Sequence, residues 1–145
     1  MDFFNSLHIS ASGLTAQRIR MNVISSNLAN VQTTRTGHGG PYKRRDVVFE
    51  AIPLPSSFRE VLRNALDDGV AEVRVVNIVA DGSFPKMVYD PNHPDANASG
   101  YVAMPNINVI EEMVNMLSAT RSYEANVTAI QSAKAMALKA LEIGR

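Results

Sequence analysis

The sequence predicts an α+β fold: two long terminal helices form a coiled-coil-like pair, with a small β-rich module between them. Three observations indicate this fold. Apolar residues recur every seven positions near both ends of the chain. The middle instead holds short segments rich in β-branched residues, and Gly- and Pro-containing stretches separate the regions. We therefore divide the 145 residues into an N-terminal helix (1–35), a central module (36–104) and a C-terminal helix (105–145).

The first helix is predicted from about Phe3 to Asn30, with Asp2 as its N-cap. Arg18 and Arg20 are its only charged residues, and the rest of its polar face is Ser, Asn, Thr, Gln and Gly. Such a face suits burial in a tight hydrogen-bonded interface. Gly13 costs the helix about 1 kcal/mol relative to Ala, so we expect another backbone to approach closely there. The heptad positions are Leu7, Leu14, Met21 and Leu28.

The central module is predicted to be β-rich with long loops. Tyr42–Ile52, Val70–Val79 and Met87–Tyr89 are the strand candidates, because they carry β-branched and aromatic residues. Residues 57–65 are expected to form a helical turn or two. The Pro- and Asn-rich stretch Asp90–Gly100 is predicted to be a loop.

The second helix is predicted to begin after Pro105 and to continue to Ile143, with Gly144 as its C′ residue. Asn108, with Glu111 three residues later, has the form of a capping box. The helix would be about 50 Å long. Its a/d positions are occupied by Val109, Met113, Met116, Tyr123, Val127, Ile130, Ala137 and Leu141.

Composition excludes several classes of function. Lys plus Arg and Asp plus Glu each number 14, so the net charge is zero, which argues against binding nucleic acid or an anionic membrane surface. The absence of cysteine excludes disulfides and thiolate chemistry. No apolar run is long enough to span a bilayer. The N-terminal residues lack the pattern of a cleaved secretory signal, so export would need another route.

The potentially chemical residues do not form a recognisable site. His8, His38 and His93 lie in three separate regions without a zinc-binding pattern. The segment 90–101 resembles a calcium loop only faintly, because it lacks the Gly and the Glu that such a loop requires, and Asx turns are the preferred interpretation. We therefore predict no catalytic, cofactor-binding or metal-binding residue and no enzymatic activity.

The basic run 43–45 is too short for a nucleic-acid site and is followed by Asp46 and Glu50. It is interpreted as a solvated strand or a charged contact between subunits. The heptad positions favour an assembly protein instead. The predicted subunit-interface residues are Leu7, Leu14, Met21, Ser25, Asn27, Leu28, Asn30, Val109, Met113, Met116, Tyr123, Val127, Ile130 and Leu141.

Two alternatives remain open from the pattern. The heptad positions of the two helices could simply pack against each other inside a monomer. The chain could also be a cytoplasmic helical adaptor, which would be a stable soluble oligomer and would not be exported. An enzyme is the least favoured class, because no group of reactive side chains supports it.

Several motifs resemble those of a known family. The string SGLTAQRIRMNVISSNLANVQTT, residues 12–34, closely resembles the N-terminal motif of the bacterial flagellar axial proteins, the rod and hook family. The strings GYVAMPNINVIEEMVNM (100–116), RSYEANV (121–127) and PYKRRDVVF (41–49) are similar to those of basal-body proteins of the proximal rod. The resemblance therefore covers nearly the whole chain.

The resemblance implies a structural subunit of the flagellar proximal rod, which assembles through its terminal helices into a helical tube that transmits torque. It implies as partners copies of the same chain, other rod proteins, the membrane-ring and export-gate end of the basal body, and the type III export apparatus. It also implies export without a cleaved signal and a location in the rod that crosses the periplasm. A different axial subunit is the alternative. We further hypothesise that the terminal helices are largely unfolded until assembly, because lone helices are marginal in water.

Overall fold

Two long helices flank a β-rich middle region, as the sequence predicts. The computed structural model describes residues 3–53 and 71–143. The elements in chain order are α1 (Phe3–Ala29), β1 (Arg45–Pro53), β2 (Ala71–Ala80), β3 (Lys86–Tyr89), β4 (Tyr101–Met104) and α2 (Val109–Ile143). The α+β prediction is thereby confirmed. The helical turn expected at 57–65, the N-cap Asp2 and the C′ residue Gly144 lie outside the described residues.

The two helices pack against each other in antiparallel orientation. Asn27, near the end of α1, bonds to Glu112 at the start of α2, whereas Gly13 lies beside Asn126. At about 1.5 Å per residue the 27-residue α1 is about 40 Å long, and the 35-residue α2 is about 52 Å. The Asn108 side chain accepts a hydrogen bond from the Ile110 N–H at 3.1 Å, so Asn108 caps the helix, but the described hydrogen bonds do not include the Glu111 bond of a capping box.

The most buried residues of the two helices are small, polar or β-branched, and the heptad leucines are not among them. The buried positions are Ser10, Ala16, Val23, Ile24 and Asn27 on α1, and Glu112, Ala119 and Ala133 on α2. Small side chains allow the helix axes to approach more closely than large ones do. The close approach expected at Gly13 is made by the Asn126 side chain and not by a backbone: a Cβ at Gly13 would lie 3.0 Å from Asn126 Oδ1.

Strands β1 and β2 form an antiparallel two-stranded sheet that packs against α1. Their register runs from Arg45 opposite Ala80 to Pro53 opposite Ala71, with a bulge between Val48 and Phe49. The backbone N–H of Val73 donates to Ser12 Oγ at 3.1 Å, which ties β2 to the helix. The predicted strands at 42–52 and 70–79 therefore agree with the structure to within a few residues at each end.

The second sheet pairs β3 with β4, and β4 is a strand that the sequence pattern did not predict. Tyr89 stands opposite Tyr101, and their rings meet edge to face with centroids 5.3 Å apart. Gly100 precedes β4 with φ of 77°, where a Cβ would lie 2.8 Å from the Tyr89 ring. Val102 is completely buried and anchors this sheet. The segment between the strands is turns and loop, as predicted.

Candidate assembly surfaces

A buried group of polar side chains joins α1, β1 and α2. We call it the polar clamp and define it as Asn27, Tyr42, Arg44 and Glu112. The side chain of Asn27 is fully buried. Its Nδ2 donates to the backbone carbonyl of Arg45 at 2.8 Å, and its Oδ1 accepts from the Arg45 N–H at 3.0 Å. The side-chain amide of Asn27 thus bonds to both the backbone carbonyl and the backbone N–H of Arg45, the first residue of β1.

The same amide also reaches α2. Asn27 Nδ2 donates to Glu112 Oε2 at 2.9 Å, and the hydroxyl of Tyr42 donates to Asn27 Oδ1 at 3.1 Å. Both donor hydrogens of Asn27 are therefore used, and its oxygen accepts two bonds. A buried amide with all its partners is stabilising, whereas the loss of any one partner leaves a buried polar group unsatisfied.

Glu112 is the charged centre of the polar clamp. Only 1 % of its side chain is exposed, and Arg44 Nε donates to its Oε1 at 2.8 Å. Partial burial lowers the pKa of Arg44, but its hydrogen bonds to Glu112 and Asp46 outweigh this effect and raise that pKa above its ordinary value. The guanidinium therefore stays charged beside the buried carboxylate. Within the basic run 43–45, Arg44 is thus an internal partner of α2, whereas Lys43 and Arg45 are exposed.

Sequence reasoning missed Glu112 as an internal residue. Its partners Asn27 and Arg44 lie 85 and 68 positions away, so no local pattern joins them. One signal was available: Glu112, Ala119 and Ala133 are seven and fourteen residues apart. They mark a heptad face of α2 displaced by one residue from the predicted a/d positions.

The predicted interface residues of α1 differ in how far they are exposed to solvent. Leu7, Leu14, Met21 and Leu28 are half-buried, so each contacts the rest of the chain and still presents surface to solvent. Ser25 is exposed and Asn27 lies in the polar clamp. Asn30 is half-buried, and its side chain donates to the Ser26 carbonyl at 2.8 Å.

The exposure of the predicted interface residues of α2 depends on their position along the helix. The half-buried ones are Met116, Tyr123, Val127 and Ile130, in the stretch that faces α1. The exposed ones are Val109, Met113 and Leu141, close to the two helix ends. The middle of the predicted stripe therefore packs inside the chain, and its ends face solvent.

Two groups of exposed apolar side chains lie at opposite ends of the helix pair. At the closed end, where α1 leads into the central module and the module leads into α2, an apolar groove of 620 Å³ is present. We call it the closed-end groove. It is lined by Leu28, Ile110, Met113, Val114, Met116, Leu117 and Thr120.

The other end of the helix pair holds the start of α1 and the end of α2. We call the exposed apolar group there the open-end patch, which comprises Phe3, Phe4, Met136, Leu138, Leu141 and Ile143. Exposed apolar side chains at one end of a protein are candidates for contacts with a partner. Neither group was predicted in this form from the sequence, although Leu28, Met113, Met116 and Leu141 belong to the predicted interface.

His8, His93 and Asp90 of the calcium-like segment each contact a neighbouring polar group. His8 Nδ1 lies 3.3 Å from Glu72 Oε2, and His93 Nδ1 accepts a bond from the Asp95 N–H. Asp90 Oδ1 accepts from the Asn92 N–H, as in an Asx turn. Within residues 3–53 and 71–143, no three His, Cys, Asp or Glu side chains are grouped so as to hold a metal ion. Neither helix of the described residues has a stretch that is both long and apolar enough to cross a membrane.

An antiparallel helix pair with exposed apolar side chains at its ends and a sheet attached to one side favours the class of structural assembly proteins. Comparisons with known proteins identify the assembly. The model described as "Flagella basal body rod protein" matches residues 7–35, and the model described as "Flagellar basal body rod FlgEFG protein C-terminal" matches residues 98–143.

Three relatives, each named flagellar basal-body rod protein FlgC, match almost end to end. The Bacillus subtilis protein is 49% identical over 152 residues, covering 100% of both chains. The Borreliella burgdorferi protein is 47% identical over 149 residues, covering 99% of this chain and 98% of the relative. The Aquifex aeolicus protein is 46% identical over 134 residues, covering 92% and 91%. The chain therefore belongs to the FlgC family of flagellar basal-body rod proteins.

Proposed function

We propose that this chain is a structural subunit of the proximal rod, assembling through α1 and α2 into a helical tube that transmits torque. Its relatives are named as rod proteins of the basal body, which supports a structural role in that assembly. In this proposal the helical regions 1–35 and 105–145 make the assembly, and the module 36–104 is attached to them. The proposal includes no enzymatic activity, no cofactor and no contact with nucleic acid.

One observation carries the assembly mechanism: large apolar side chains are exposed at both ends of the helix pair. Ile110 and Leu117 at the closed end, and Leu141 at the open end, each expose more than half of their surface. Exposure on this scale is unfavourable in water, at about 25 cal/mol per Å² of apolar surface. Burial against neighbouring subunits removes this surface from water and stabilises the assembly.

The polar clamp supplies the second requirement of a torque-bearing subunit, which is a fixed angle between its parts. Because Asn27 bonds to β1 and to α2 at once, the sheet cannot rotate about the helix pair without breaking buried hydrogen bonds. Densely packed, hydrogen-bonded elements transmit strain rather than absorb it.

The proposed partners are copies of this chain, other rod proteins, the membrane-ring and export-gate end of the basal body, and the flagellar type III export apparatus. The proposed location is the rod where it crosses the periplasm, reached without a cleaved signal and without insertion into the membrane. We propose that the chain passes the export channel in extended form, before α1 and α2 pack against each other, because helices without tertiary partners are marginal in water.

Motility complementation with a charged variant tests the proposal. Leu28→Asp, produced in a strain that lacks its own copy of this gene, should abolish incorporation into isolated basal bodies and should abolish swimming. The reason is that Leu28 is half-buried and lines the closed-end groove, where a carboxylate would be desolvated on assembly. Asn77→Asp is the matched control, because it adds the same charge at an exposed position of β2.

Circular dichroism of both purified variants establishes that each is folded. Loss of swimming and of rod incorporation only in Leu28→Asp supports the proposal. Normal swimming and normal rod content in the Leu28→Asp strain would refute assembly through the helices.

A further inference from the structure

We propose that Gln17 and Asn126 form a hydrogen bond in the assembled rod that is absent in the single chain, after a small shift of α1 along α2. This inference rests on the proposed function and assigns one residue pair to the change. The observation behind it is an oxygen without a partner. Gln17 Oε1 is buried, and among the described residues no group donates a hydrogen bond to it.

Gln17 lies in the contact between the two helices. Its neighbours one turn away on the same face of α1 are Gly13 and Met21. Gly13 lies beside the Asn126 side chain. Met21 Sδ accepts a hydrogen bond of 3.7 Å from Thr120 Oγ1. Because both neighbours contact α2, Gln17 faces the stretch of α2 between Thr120 and Asn126.

The missing partner is a cost to the single chain. Asn27, one of the other polar residues of α1, has partners for both its donor hydrogens and its oxygen. A buried acceptor without a donor is destabilising, whereas a methionine of similar length in its place would not be. The Gln17 oxygen therefore does not stabilise this packing of the helices, and it needs a donor in another arrangement.

Asn126 supplies a suitable donor. Its Nδ2 carries two hydrogens, and the bond described for it goes to the Ser122 carbonyl at 2.9 Å. Side chains of a helix lean toward its N-terminus, so the Gln17 side chain extends toward the turn of Gly13. Asn126 Nδ2 lies 3.1 Å from the position of a Cβ at Gly13, so both amides approach the same space. A shift of about 1–2 Å between packed helices is enough to pair them.

A hydrogen bond that closes only after such a shift favours the assembled arrangement over the single chain. The unpaired oxygen raises the free energy of the single chain, and the closed pair lowers that of the assembled state. A buried polar residue in a helix contact can in this way fix one register at a cost in stability.

Replacement of Gln17 by methionine separates the two effects. Gln17→Met keeps the length and the helix propensity of the side chain and removes the oxygen. In the isolated full chain it should raise the midpoint of thermal unfolding by about 3–5 °C, measured by circular dichroism, because a buried unpaired acceptor is lost. Gln131→Met is the matched control, because it is the same change at an exposed position of α2 and should leave the midpoint unchanged.

The assembled state is tested by competition in cells that make the variant and the wild-type chain together. Gln17→Met should enter basal bodies about two- to tenfold less often than the wild-type chain, since one hydrogen bond of the assembled state is missing. Gln131→Met should enter as often as wild type. Mass spectrometry gives the ratio of the two chains in isolated basal bodies relative to that in whole cells.

The same competition tests Asn126 as the donor. Asn126→Ala should lower incorporation to a similar extent, and the double variant with Gln17→Met should be no lower than either single variant. Additive losses would show that the two side chains do not act as a pair and would overturn the inference.

Two further outcomes would overturn it. An unchanged or lower unfolding midpoint in Gln17→Met would show that the oxygen has a partner in the single chain, such as an internal water. Equal incorporation of Gln17→Met and wild type would show that the rod does not need the pair. In that second case rod assembly through the helices stands, because Leu28→Asp tests it separately.

Discussion

Asn27 and Glu112 are 85 positions apart in the chain, yet their side chains share a hydrogen bond of 2.9 Å in a site closed to water. This bond connects the last turns of α1 to the first turn of α2. The same Asn27 amide holds the backbone of Arg45 at the beginning of β1. Three elements that are remote in sequence therefore meet at one side chain.

The first prediction concerns the ion pair in the polar clamp. Glu112→Ala should lower the free energy of unfolding by about 3 kcal/mol, because it removes the buried acceptor of one Asn27 N–H and of the Arg44 Nε–H. Urea denaturation followed by circular dichroism measures this change. A double-mutant cycle with Arg44→Ala should give a coupling energy above about 1 kcal/mol.

The control for this prediction uses the same guanidinium. Asp46 also accepts a bond from Arg44, at 3.2 Å, but its side chain is 64% exposed. Asp46→Ala should therefore change stability by less than about 1 kcal/mol. Equal effects of Glu112→Ala and Asp46→Ala would contradict the assignment of Glu112 as the buried centre.

The second prediction concerns Gly13 and Asn126. Alanine at Gly13 would favour the helix by about 1 kcal/mol, but its Cβ would lie 3.0 Å from an Asn126 side chain that is held by a bond to the Ser122 carbonyl. We expect Gly13→Ala to be neutral or destabilising in the wild-type chain. In an Asn126→Ala background the same change should be stabilising by about 1 kcal/mol. Thermal unfolding of the four variants checks the reversal of sign, and a stabilising effect in both backgrounds would exclude the steric explanation.

The third prediction concerns Asp81, which follows β2. The Ser83 hydroxyl and the Ser83 backbone N–H both donate to its carboxylate, and these bonds lower the pKa of Asp81 below its ordinary value of 3.8. Because the folded-state pKa is depressed, the stabilisation is present above 3.8 and is lost as the pH falls through the folded-state value. Ser83→Ala should raise the pKa part of the way back, since the backbone bond remains. An NMR titration of the carboxyl carbon measures it, with Asp46 as an internal reference, and an unchanged pKa would show that the hydroxyl is irrelevant.

The fourth prediction concerns the isolated, dilute chain. The polar clamp ties down the closed end, whereas most of α2 beyond Ala133 is exposed. We expect trypsin to cleave first at Lys134 and Lys139, and only later at Arg18 in the middle of α1, because exposed helix ends open locally before packed segments do. Mass spectrometry of timed digests gives the order. Equally fast cleavage at Arg18 would instead support terminal helices that are unfolded along their whole length before assembly.

Elements with strong local signals could be predicted from the sequence. Pro105 and Asn108 located the start of α2 to within a few residues, and the end of α1 was placed within one residue of Ala29. Strand β4, Tyr101–Met104, was missed, although β3 has the same length and was predicted. Pairing with β3 and the burial of Val102, which are tertiary effects, determine that strand.

The contacts between elements could not be predicted in the same way. Seven-residue spacing located the surfaces of the helices that make contacts, but it could not show that Met116 faces inward while Met113 faces solvent. A buried glutamate on a helix face is indistinguishable in sequence from a solvated one. Only the positions of Asn27 and Arg44 in space make Glu112 an internal residue.

The polar clamp contacts β1 through the main chain of Arg45, and this has a consequence for how such subunits can diverge. Hydrogen bonds to a peptide unit do not depend on the side chain that the residue carries. Position 45 can therefore change in charge or size while the geometry at the closed end is kept. A lineage could remodel the outer, sheet-bearing side of the subunit to suit new neighbours, while a single asparagine preserves the alignment of the inner helices.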